Sequence, residues 1–177
     1  MTGHCTAFHD NTRIAQGTRS ELVAALRGRE DGLLVFEDAT GKIVDLDWRG
    51  EPEATAPAPP PRKRGRPKLG VVPREVTLLP RHWEWLNRQP GGASRALRRL
   101  VDDARKADGG RSARRAAQER TYRFLSAIAG DFPHFEEATR RLFADDPDGF
   151  ASTIAGWPVD VQQYAKTLLQ PPEGDEP

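Results

Sequence analysis

An α+β fold is predicted: a small N-terminal β-β-α-β-β unit, a Pro-rich linker, then a strand-helix-helix and a C-terminal helical bundle. Three observations predict it. Short β-rich runs and a single amphipathic stretch fill residues 4–49, and apolar residues at helical spacing take over from Ser112. Between them Glu51 to Pro61 reads EPEATAPAPPP, whose prolines favour extended backbone and forbid a helix, so it is a semi-rigid spacer.

Each element has a local reason. Thr6 to Phe8 and Thr12 to Ala15 are short strands. Thr18 is placed to cap a helix through Arg27, with Glu21 at the capping-box position and Leu22, Val23 and Leu26 on one face. Leu33 to Glu37 and Lys42 to Trp48 are β-rich runs flanking Asp38-Ala39-Thr40-Gly41, which predicts a hairpin. Pro73 to Leu79 is a strand, and Pro80 opens a helix carrying Trp83 and Leu86. Gln89-Pro90-Gly91-Gly92 breaks that helix, and Ser94 is the expected cap of the next, where Leu97, Leu100, Val101 and Ala104 share a face. Further on, Ala117, Thr121, Phe124, Leu125 and Ile128 line one helix, stopped by Gly130. Phe135, Ala138, Leu142 and Phe143 mark another, a short helix carries Phe150 and Ile154, and Val161, Tyr164, Ala165, Leu168 and Leu169 mark the last. Leu, Ile, Val and Phe number 35 of 177, low enough to predict several small cores. The predicted domains are 1–50 (small α+β), 51–72 (linker), 73–110 (strand-helix-helix) and 111–177 (acidic helical bundle and tail).

A net charge of +1 conceals a strong pattern. Residues 1–61 carry 6 basic and 10 acidic side chains, residues 62–124 carry 18 and 6, and residues 125–177 carry 3 and 10. A basic centre between acidic flanks points to a polyanionic partner for the centre. No apolar run reaches membrane-helix length, and no basic-then-apolar N-terminal stretch predicts a signal peptide. The lone Cys5 fits a reducing, cytoplasmic setting, with nucleoid association compatible.

Arg62-Lys63-Arg64-Gly65-Arg66-Pro67-Lys68 resembles the AT-hook, a minor-groove DNA-binding peptide built on Arg-Gly-Arg-Pro. The narrow A·T minor groove has enhanced negative potential that attracts inserted arginines, here Arg64 and Arg66. Gly65 lets the backbone approach the groove floor, and Pro67 holds it extended. Arg62, Lys63 and Lys68 would neutralise phosphates. A solvated basic linker is the plainer reading of the same residues.

Strand, short helix, Gly-rich turn and second amphipathic helix resemble the ribbon-helix-helix fold, in which two chains pair strands into a ribbon. The resemblance implies a homodimer, base or phosphate contacts from Arg74 and Thr77, and a phosphate at the helix start formed by Gly92-Ala93-Ser94-Arg95. Glu75 and Leu79 would also face outward, and the strand is one residue short of the usual spacing, so dimerisation is better supported than base reading. An ordinary helical hairpin remains the alternative.

No catalytic chemistry can be read. His4, Cys5, His9 and Asp10 match no zinc spacing, and no nucleophile stands with a base, so no enzymatic activity, metal or cofactor is expected. The phrases Thr6-Ala7-Phe8, Leu34 to Gly41, Val44 to Asp47, Gly65 to Val72, Glu75 to Leu86, Gly91 to Ser94 and Tyr122 to Trp157 are similar to a bacterial family, domain of unknown function 2239. That resemblance implies one architecture over nearly the whole chain and brings no activity. The expected function is a homodimeric DNA-binding protein, a transcriptional regulator or nucleoid-associated factor, held on A·T-rich duplex and recruiting a protein partner through the acidic helices. The alternative is a non-enzymatic interaction scaffold whose basic centre meets acidic partners, with RNA binding a third option.

Overall fold

Asp10 and Asn11 turn the chain between two strands, β1 (His4–His9) and β2 (Thr12–Thr18), with Asp10 at a positive φ of 51°. Short polar side chains such as Asp tolerate that left-handed backbone. The structure, a computed structural model, describes residues 3–29, 31–48, 72 and 74–170. β1 pairs antiparallel with β2, where Ile14 is bulged out, and with β3 (Leu33–Glu37), giving a three-stranded sheet of order β2-β1-β3. The capping box at Thr18 forms as expected and starts α1 (Arg19–Leu26). The Thr18 amide and hydroxyl donate to the Glu21 carboxylate at 2.7 and 3.0 Å, and these bonds hold that carboxyl below its usual range.

The expected fourth strand is not formed. Among the described residues, Lys42 to Trp48 contributes a single bridge, Ile43 to Phe36, with the Val44 amide donating to Val35 O at 2.8 Å. The ladder stops because Val44, Leu46 and Trp48 turn into the cluster under α1 instead of continuing along β3. The N-terminal order is therefore β-β-α-β.

A period of two along β1 decides the packing. Cys5 and Ala7 face α1, joining Leu22, Val23, Leu26, Val35 and Leu46. Phe8 and Phe36 belong to a different and larger cluster, with residues from beyond position 110. Those come from α4 (Arg111–Ile128), α5 (Phe135–Phe143), α6 (Pro147–Thr153), α7 (Val159–Leu169) and the residues that join them. At its centre four rings meet: Phe36 and Phe124 edge-on at 4.9 Å, Phe124 and Tyr164 edge-on at 4.8 Å, and Phe8 within 5.4 Å of both Phe124 and Tyr164. Two segments that read as separate domains in sequence thus share one core. The chain divides into two compact units, Met1–Ala54 with Gly110–Pro177, and Thr55–Gly109.

A polar seam runs beside the rings. Thr6 Oγ1 and Tyr164 OH both donate to Asp38 Oδ1, at 2.8 and 2.7 Å, and Gln16 Nε2 donates to Oδ2 at 3.3 Å. Burial, reinforced by the hydrogen bond to Asp38 and its charge, pushes the Tyr164 hydroxyl far above the tyrosine range. Buried Arg120 donates from Nε to Leu168 O at 2.5 Å and from Nη2 to Gln170 O, capping the C-terminal end of α7. Burial lowers its pKa. Gly41, at φ 65°, lies so close to α4 that an added Cβ would sit 2.0 Å from Arg120 O. The Arg13 amide donates to Asp160 Oδ2 at 2.9 Å, so the first turn of α7 covers part of the β2 edge.

The remaining elements are α2 (Pro80–Asn87) and α3 (Gly92–Asp108) of the second unit. Arg74 to Leu79, expected as a strand, pairs with no strand of the described chain. Leu79 is extended (φ −66°, ψ 150°), as the residue before a proline must be.

Two substitutions test this framework. Tyr164→Phe should destabilise the protein by about 1–3 kcal/mol in urea unfolding, since it leaves a carboxylate short of a donor. Tyr164 keeps its proton in the folded state beyond pH 10, where an unfolded tyrosine loses it, so its contribution is complete below pH 10 and falls as pH rises further. That alkaline component should vanish in Tyr164→Phe. Gly41→Ala should cost about 3 kcal/mol or more, because backbone blocks the methyl group and the left-handed φ penalises it.

Candidate nucleic-acid interface

Pro80 starts α2 at its first turn, where a missing N–H costs no helical bond, and Leu86 is buried against α3. Gln89 to Gly92 then reverses the chain, with Gly91 at φ 83° forming the N-cap of α3. This corrects the expectation for Ser94. The helix begins at Gly92, so Ser94 lies within the first turn and makes no capping bond. The glycine takes the cap because the chain enters the helix through a left-handed residue, which Gly adopts without strain.

At 100° per residue α3 has two distinct faces. Ala96, Ala107, Leu100, Ala104, Leu97 and Val101 occupy an arc of roughly 140°, and Arg95, Arg98, Arg99, Asp102, Asp103, Arg105 and Lys106 fill the rest. Among the described residues of this unit only Leu86 and Ala96 are buried. Leu100 and Val101 remain 42% and 56% exposed, and Val76, Leu79 and Trp85 are about half exposed. Trp83 is half-buried, so the two tryptophans have different surroundings, as their spacing of two residues requires.

Arg74 and Thr77 are exposed in the extended stretch before α2. Ser94 and Arg95 are exposed in the first turn of α3, whose N–H groups face no carbonyl of their own helix. The Arg95 side chain folds back over Gly91, where an added Cβ would meet its Cδ at 2.5 Å. Ser94 and Arg95 are thus brought together at one helix start, with Arg74 and Thr77 on a different segment of the same unit. Arg62, Lys63, Arg64, Gly65, Arg66, Pro67 and Lys68 lie outside the described residues.

Charge divides along the same line as the fold. The stretch Thr55–Gly109 contains 13 basic and 5 acidic residues, a net of +8, whereas the rest of the chain contains 14 and 21, a net of −7. A family model described as an uncharacterized protein conserved in bacteria, domain of unknown function 2239, matches residues 4–169. The chain belongs to this family. No curated protein and no solved structure matches it. The family match spans both units, so the basic stretch and its acidic frame are parts of one architecture.

Elsewhere on the described surface the chemistry is sparse. His9 lies 3.5 Å from Asp10 and lines an open cleft of about 370 Å³ with Ile14, Arg29, Asp31 and Leu33. Among the described residues no group of three or more His, Cys, Asp or Glu could hold a metal ion, and no helix is long and apolar enough to cross a membrane. Cys5 is buried, and that burial pushes its thiol up, away from the reactive thiolate. One cluster escaped the sequence reading. Arg111, Arg114 and Arg115 line a groove with Gln118, Glu119, Phe143 and Asp145. The signal was present as arginines at i, i+3 and i+4 in the first turns of α4.

Proposed function

We propose that this protein binds DNA as a homodimer, without enzymatic activity, acting as a transcriptional regulator or nucleoid-associated factor in the cytoplasm. Arg64 and Arg66 enter A·T-rich minor groove, while Arg62, Lys63 and Lys68 neutralise flanking phosphates. The observation that carries this reading is the concentration of positive charge in one compact unit that also contains the Arg-Gly-Arg-Pro core. Additional phosphate contacts come from Arg74, Thr77, Ser94 and Arg95, in a unit whose α3 keeps its charges opposite its apolar face.

The second copy follows from burial. A unit that covers only Leu86 and Ala96 among its described residues has too little apolar contact to hold α2 and α3 in place alone. The exposed arc of Leu100 and Val101, with Val76 and Leu79 on the preceding stretch, supplies a self-complementary surface for a twofold partner. In that pairing Arg74 to Leu79 finds its missing ladder in the same stretch of the other chain, the arrangement of a ribbon-helix-helix dimer. The net negative charge of the acidic frame then weakens non-specific duplex binding outside the paired basic units, and offers a surface to a protein partner.

The test is a mobility-shift comparison of A·T-rich with G·C-rich duplex across a salt series. A preference for A·T is expected, with affinity falling steeply with salt and dropping about tenfold or more for Arg64→Ala with Arg66→Ala. Equal binding by that double variant at physiological salt contradicts the hook, and no binding to duplex favours the scaffold reading. Light scattering on a sizing column should give a dimer for the parent chain and a monomer for Leu100→Glu with Val101→Glu.

A further inference from the structure

We propose that the groove between α4 and the end of α5 is a binding site for single-stranded nucleic acid, with Tyr122 and Phe143 stacking an unpaired base and Arg111, Arg114 and Arg115 holding its phosphates. The site lies wholly within the first unit and does not rest on the hook or on the dimer.

Four observations converge on it. Arg111, Arg115, Gln118 and Tyr122 follow at spacings of four, three and four residues, so they form one stripe along α4. At 1.5 Å per residue that stripe is about 16 Å long, roughly five nucleotides at a 3.4 Å stacked rise. At its end Tyr122 and Phe143 pack ring against ring, with centroids 5.6 Å apart and planes at 59°. Both rings remain exposed, at 39% and 48%, and leave apolar surface in water. Between the cations and the Phe143 ring the surface dips into a groove of about 540 Å³. Gln118, on its wall, carries both a donor and an acceptor for a base edge.

The carboxylates in the groove do not block it. Asp145 pairs with Arg114 at 3.3 Å, and Glu119 pairs with Arg115 and Arg123, each at 3.3 Å. These are exposed pairs, which contribute little and exchange readily, whereas a phosphate offers a guanidinium two short charge-assisted bonds. Asp145 thus keeps Arg114 beside Phe143 until a phosphate replaces it. Single strands fit better than duplex because base faces inside a duplex are already stacked. An exposed ring can take a base only when that base is free. An acidic peptide would use the arginines and leave the rings idle.

The experiment uses the full chain carrying Arg64→Ala and Arg66→Ala, so that the hook cannot contribute. Fluorescence anisotropy with a labelled short oligothymidylate at low salt should show binding, with a duplex of equal length bound at least about tenfold more weakly. Tyr122→Ala with Phe143→Ala should lower affinity for the oligothymidylate about tenfold or more. Tyr122→Leu with Phe143→Leu keeps apolar packing and should lose affinity to the same degree, while Tyr122→Phe should retain it. Arg111→Gln with Arg115→Gln should reduce the slope of log affinity against log salt by about 1.4. Failure of the hook-free chain to bind the oligothymidylate, equal binding of duplex, or unchanged affinity in the leucine variant overturns the proposal.

Discussion

The Asp38 carboxylate holds the first unit together across a wide sequence separation. One oxygen accepts from Thr6 on the central strand and from Tyr164 on the last helix, which stand at opposite ends of the chain. Neither donor has water as an alternative, since both residues are buried. A buried hydroxyl that finds no acceptor is expensive, so strand and helix are held in one relative placement. The aromatic cluster beside them accepts many similar arrangements; the hydrogen bonds select one. The adjoining turn depends on that choice, because Gly41 meets the α4 backbone at Arg120 and Arg123 Nη1 donates to Thr40 O at 2.9 Å.

This closure explains how a basic stretch can interrupt the sequence of an acidic unit. The first unit is completed by segments from both sides of Thr55–Gly109, making the basic unit an insertion in the chain order. Its charge therefore need not be tolerated by the main core, whose buried ionisable groups, Arg120 and Tyr164, are satisfied locally. Such segregation keeps repulsion among the 13 basic residues within a part of the chain whose described residues bury few apolar side chains.

Local signals were legible wherever one short stretch contains all the partners. The Thr18–Glu21 capping box, Pro80 at the start of α2 and the apolar stripes of α4, α5 and α7 need only neighbours within a turn or two. One departure falls where a competing partner is remote. Lys42 to Trp48 has the composition of a strand, but Leu46 is worth more buried beneath α1 than extended along β3. Ser94 is a good cap by type, yet the left-handed Gly91 carries the chain into the helix before it. In the candidate interface the charge pattern and the Arg-Gly-Arg-Pro core were readable. The groove at Arg111, Arg114 and Arg115 was not, because Phe143 reaches it from another helix.

The sequence by itself determined the fold class, the family, the helices and the separation of charge, since all of these depend on residue identity and short-range periodicity. The tertiary structure decided that the sheet and the late helices share one core, that β1 is covered on both faces, and that an exposed pair of rings adjoins three arginines. Those outcomes depend on which distant side chains meet. Alternation along β1 can put Phe8 and Cys5 on opposite faces without indicating which helix will cover either one.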